Sequence, residues 1–181
     1  MSALYGWHAD HENFRGLLDE LRGELDVFHR GARPDYEHMC RIVTSLREYG
    51  DEVHHPREDV AFARLALRCP DMALPLARLQ QEHRVIAQAG QKLLEQIEAI
   101  LGGAFVPRTE LEAALATYLV YYGNHIAAEE EEILPLARRL LSDEDWQQAK
   151  TAATLRPDPL LGPQPEARFR DLRRRIAVEA A

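Results

Sequence analysis

Four short stretches of the chain place histidine and carboxylate at spacings suited to holding a metal: His11 in HADHENF, His54, His55 and Glu58 in HHPRED, His83 in QEH, and His125 and Glu129 in HIAAEE. On a helix, His54 with Glu58 and His125 with Glu129 are i,i+4 pairs that share one face, one turn apart. At about 100° per residue, Glu58 lies roughly 40° around from His54 and roughly 60° from His55, between the two. One helix thus offers two imidazoles with a carboxylate in the middle, an arrangement in which the carboxylate can bridge two metal ions. Imidazole and carboxylate together suit iron, manganese or zinc, and two carboxylates help offset the charge of two cations. Taken singly, each pair would be a helix-surface contact worth a few tenths of a kcal/mol.

The elements that must position these residues read as helix throughout, with no alternating strand pattern. The first apolar stripe runs Trp7, His11, Phe14, Leu18, Leu21, Leu25, Phe28, and Gly31 and Pro34 end it. The second covers 35–68 through Met39, Val43, Leu46, Gly50, His54, Glu58, Ala61 and Leu65, up to the break at CPD. The third is Met72, Leu76, Leu79, His83, Ile86, Gly90, Leu93, Ile97; after GGAFVPRT the fourth is Leu111, Leu115, Tyr118, Tyr122, His125, Glu129, Ile133, Leu136, Leu140. Four long helices with short loops and stripes of period near 3.5 predict an all-α fold, an up-down-up-down antiparallel four-helix bundle over 1–141. Residues 142–181 read as a C-terminal extension: a short helix capped by Ser142, a connector with four prolines in RPDPLLGPQP, and the basic amphipathic end EARFRDLRRRIAVEAA, a surface for a protein partner or self-association.

Residue counting tests whether the histidines meet. His11 lies 20 residues before Gly31, and His54 lies 19 after Asp35. Glu58 lies 12 before Pro70, and His83 lies 13 after it and 19 before Gly102; His125 lies 18 after Pro107. At a rise of about 1.5 Å per residue each helix returns its histidine to the height of the one before, within roughly 2 Å. The histidines therefore form one layer. Pro56, in the same stretch, lacks a backbone donor and costs about 3 kcal/mol inside a helix. The expectation is that it loosens the helix and turns His55 toward the centre, with metal binding offsetting the cost.

Composition bounds the function. A net charge of −8 over 181 residues excludes a general nucleic-acid binder. No apolar run approaches the ~20 residues of a membrane span, and the N-terminus shows no secretion signal. Cys40 and Cys69 form no disulfide framework or zinc spacing and fit a reducing, cytoplasmic setting. Beside the ligand set, Tyr122 and Gly50 stand one turn before His125 and His54, as a candidate hydroxyl donor and as room for a small ligand, and Glu132 is a candidate extra oxygen ligand. Tyr118 reads as a core aromatic; His8, His29 and His38 fall off the stripes and read as solvated.

These motifs, over residues 4 to about 141, resemble the hemerythrin-like, or HHE cation-binding, proteins. The resemblance implies a non-heme, carboxylate-bridged pair of iron ions, with zinc or manganese as other occupants. It assigns one iron to His11 and His54, the other to His83 and His125, with Glu58 and Glu129 bridging. The second third-helix histidine of the oxygen carriers is missing, since those neighbours are Leu79 and Ala87. His55 is the replacement the resemblance suggests. HxxxE also stands where the oxygen carriers have HxxxxD, which argues against simple oxygen transport. The expected function is binding or sensing of O2, NO or peroxide, or iron handling. The alternatives are a peroxidase-like or NO-reducing enzyme at the same site, and an interaction module whose basic tail responds to metal state.

Overall fold

A computed structural model describes residues 3–153 and Arg174, and every regular element among them is helical. The predicted proline-rich connector and, Arg174 apart, the basic end lie outside the described residues. Helix α1 spans Ala3–His29 and α2 spans Tyr36–Ser45, the latter capped by Asp35, whose side chain accepts from the His38 N–H. From α2 the rod continues as a π-helical segment, Leu46–His54, into α3, His55–Arg68. A short 3-10 turn at Pro70–Met72 leads to α4, Ala73–Leu101. Then α5, Arg108–Ala128, passes through a second π segment, Glu129–Ile133, into α6, Leu134–Leu140.

The two π segments share a cause. Pro56 follows the first and Pro135 the second, each in the first turn of the α-helix that resumes. A proline brings no N–H and crowds the carbonyl four residues back. The chain answers with one wider turn: the His55 N–H reaches the Gly50 carbonyl, and that of Leu134 reaches Glu129. Helices widened in this way are frequent at functional sites.

Two apolar clusters flank the histidine layer. One gathers Phe14 to Phe28 of α1 with Met39, Val53, Ile86, Ile97, Leu111 and Ile126; the other gathers Trp7 with Ala61, Phe62, Leu65, Leu76, Leu79 and Ile133. Successive rods cross between them in alternating order, and each carries its ligand at the crossing. The packing partners are α1 with α5 and α2, α4 with α5, α2 and α3, and α3 with α6.

The expected short helix α7, Asp143–Thr151, is present, with Ser142 as its cap. The Ser142 hydroxyl accepts from the Asp145 N–H at 3.3 Å while the Asp145 carboxylate accepts from the Ser142 N–H at 2.8 Å. Arg68 of α3 donates to Asp145, and Trp146 packs its ring 5.8 Å from that of Trp7, so α7 lies against α3 and α1.

Candidate metal centre

His11, His54, His55, Glu58, His83, His125 and Glu129 are all buried, none more than 5% exposed, and the fold brings all seven together. His55, Glu58, His83 and His125 offer ligand atoms within 4.8 Å of one another, and so do His11, His54 and Glu58. The two carboxylates stand across both groups. Glu58 turns Oε1 to His54 and His11, at 2.8 and 3.2 Å from their Nε2 atoms, and Oε2 to His83 Nε2 at 3.3 Å. Glu129 turns Oε2 to His11 Nε2 at 3.1 Å and Oε1 to His125 Nε2 at 3.1 Å and His83 Nε2 at 3.6 Å. His55 belongs with the second group, stacked on His83 with ring centres 4.2 Å apart.

Four of these imidazoles show their Nε2 to the centre and hand Nδ1 to an acid from another rod. Asp10 meets His54 at 3.0 Å, Asp59 meets His83 at 2.9 Å, Glu82 meets His125 at 3.2 Å and Glu130 meets His11 at 2.7 Å. Each acid adjoins its own rod's ligand in sequence, and each serves the neighbouring rod: α1 the second, the second α4, α4 the fourth, and the fourth α1. The supports close into a ring. A carboxylate on the outer nitrogen fixes the tautomer, leaves the inner lone pair free and raises its basicity, as outer partners of metal-bound histidines do. His55 is less well held, with Nδ1 3.5 Å from Asp51 Oδ1 and no hydrogen bond. Sequence reasoning missed all of these acids.

Burial opposes charge on every group, and neighbours decide the outcome. His83 is pulled down by burial, but Asp59, Glu129 and Glu58 together lift its pKa to about 11. Burial likewise works against His11 and His54, and the surrounding carboxylates raise both. His55 goes the other way: burial first, then the charges of His83, His54 and His125, push it well below the usual range. Burial would raise Glu58 and Glu129, yet the imidazoles around them hold both ionised.

Nε2 of His54, His83 and His125, Oε2 of Glu58 and both oxygens of Glu129 are buried with no hydrogen bond within the protein. Buried polar atoms need partners. Imidazole nitrogens and carboxylate oxygens facing one another across about 3 Å can share a metal cation in place of a proton, and nitrogen with oxygen suits iron, manganese or zinc. The residues fit a metal.

The other sequence candidates divide. Tyr122 is fully buried beside His55, ring centres 5.7 Å apart, and its hydroxyl has no hydrogen-bond partner. A Cβ on Gly50 would stand 2.5 Å from that hydroxyl oxygen, so Gly50 makes room for Tyr122. Glu132 is not at the centre: it is exposed and lines a surface groove with Leu74, Pro75 and Arg78. The π segment turns fewer degrees per residue than an α-helix, and this carries Glu132 off the face that Glu129 holds. His38 is not solvated either, being buried with Nε2 3.0 Å from Glu20, whereas His8 and His29 are half-exposed beside Glu130 and Glu112.

The family model of the hemerythrin HHE cation binding domain matches residues 2–137. The chain belongs to the hemerythrin HHE cation-binding family. That match takes in all seven buried ligand candidates and all four acids that support them. Comparison with curated proteins and with solved structures finds no match. No described helix of this hemerythrin-family chain is long and apolar enough to cross a membrane.

Proposed function

We propose that residues 1–141 form an up-down-up-down four-helix bundle that holds two iron ions, and that the protein binds or senses a small diatomic or oxidant such as O2, NO or peroxide. The alternating passage of the rods between the two apolar clusters supports the bundle reading. One observation carries the two-cation reading: Glu58 and Glu129 each divide their oxygens between two histidine groups, as bridging carboxylates must. His11 and His54 would hold one ion, and His55, His83 and His125 the other. When bound, such a pair supplies the positive charge and the redox change that small oxidants require. The chain's own part is to keep the inner lone pairs free through the outer acids, and to exclude bulk water with Trp7, Phe14 and Phe62. Residues 142–181 form the proposed extension, and the setting is proposed to be cytoplasmic.

The test is metal analysis of full-length protein purified without chelators, followed by visible spectra with O2, azide and NO. About two irons per chain and a saturable, ligand-dependent spectrum without product are expected. Steady turnover of peroxide or NO would instead favour the enzyme reading. Zinc or a single metal per chain would sink the di-iron proposal.

A further inference from the structure

Trp7 stands one turn before His11, 7% exposed, and its indole N–H donates to His11 Nε2 at 3.1 Å. The same Nε2 lies 3.2 Å from Glu58 Oε1 and 3.1 Å from Glu129 Oε2, while Nδ1 meets Glu130 at 2.7 Å. The donors and acceptors here do not balance. If Nδ1 carries the proton for Glu130, the Nε2 lone pair is pressed against two carboxylates. If Nε2 is protonated as well, the indole, a donor only, faces another donor. A cation on Nε2 relieves the first conflict and takes away the indole's acceptor, and a buried N–H without an acceptor is costly.

The ligand count points the same way. With the bridging carboxylates shared, His11, His54, Glu58 and Glu129 give that side four ligands, while His55, His83 and His125 bring the other to five. An added ligand belongs on the side with fewer, which is where the indole N–H points. The indole is also clamped, its ring 5.9 Å from Phe62, 5.8 Å from Trp146 and 6.5 Å from His54.

We infer that Trp7 is a positioning residue, whose N–H donates to the acceptor atom of a small anionic or polar ligand held beside His11 and so selects for ligands that carry one. This rests on the metal-pair reading.

The probe is azide, with the full-length iron-loaded chain. Trp7→Phe keeps the packing and the iron content, weakens azide binding roughly 3- to 30-fold, and abolishes the H2O/D2O shift of the azide infrared stretch. Trp146→Phe, which keeps an aromatic ring behind Trp7 and removes only the Trp146 N–H, leaves affinity and isotope shift as in the parent. If Trp7→Phe does not load iron, the zinc-loaded parent labelled with 15N-tryptophan decides: azide moves the Trp7 N–H resonance and leaves that of Trp146 in place. Iron-loaded Trp7→Phe with unchanged affinity and isotope shift, or an unmoved Trp7 resonance, overturns the inference and assigns the N–H to a carboxylate oxygen. A parent chain without bound metal fails one step earlier, before azide is added, and overturns the reading of the centre together with this one.

Discussion

The His11–His54 side and the His55–His83–His125 side of the centre use the same chemistry with unequal support. On the first, both imidazoles have an outer acid within 3.0 Å, and Trp7 and Phe14 wall the pair, the Phe14 ring 4.9 Å from that of His54. On the second, His83 and His125 are supported but His55 is not. Beside it the Asp51 carboxylate oxygens and the Tyr122 hydroxyl are buried without hydrogen bonds. Burial raises the Asp51 pKa to about 7 against the pull of Arg47 and His83. One side is therefore apolar and held in place, with few ligands. The other is ligand-rich and polar, with the outer hydrogen bond of His55 unmade. On the proposed two-cation reading the difference separates two jobs: the first side would leave a position for an incoming group, and the second would hold its cation by number of donors.

Glu58 serves both sides, so Glu58→Ala gives the largest effect. Metal analysis should find both ions lost, with affinity down at least about 100-fold; retention of one ion would show that the sides are independent. His54→Ala should next reduce the metal content from about two to about one, whereas His55→Ala keeps about two and alters only the spectrum, because four ligands remain on its side. The outer acids come third. Asp10→Asn and Asp59→Asn should each weaken metal binding about 10- to 100-fold on their own side, read by competition with a chelator. A loss shared equally by both sides would break the comparison. Apart from the metal, a last effect concerns Asp51 in chelator-stripped protein. Its folded pKa of about 7 lies above the ordinary carboxylate value, so the native state holds a proton that the unfolded state releases. Stability then falls by about 1.4 kcal/mol per pH unit as pH rises from about 4 to 7. Asp51→Asn should flatten that slope in denaturant titrations, and an unchanged slope would mean that Asp51 ionises normally.

Much of this centre was legible in the sequence, because ligand height depends on rise per residue and helix rise is nearly constant. The π segments were legible too, but in the spacing of the stripes rather than in residue type. Along the first and third stripes the steps alternate strictly between 4 and 3. The second runs 4, 4, 4 from Leu46 through Gly50 and His54 to Glu58, and the fourth runs 4, 4 from His125 through Glu129 to Ile133. Those repeats mark the wider turns, and they explain how His54 and His55 can both be buried. Pro56 acts there, although its mark is one added residue per turn rather than a loosened helix. The outer acids were illegible for a different reason. Asp10, Asp59, Glu82 and Glu130 sit beside ligands on their own rods but act on neighbours, and no periodicity within one helix reports which acid faces which rod. His38 was missed in the same way, its partner Glu20 lying on α1.

The ring of outer acids bears on how the protein is made. His11, translated first, waits for Glu130 on the last rod, and Glu82 waits for His125. A nascent chain with three rods outside the ribosome already has His11, His54 and Glu58, but it lacks His125, Glu129 and Glu130, so the second group and the ring of supports stay open. The last rod to emerge, which brings His125, Glu129 and Glu130, is the clasp that completes the centre.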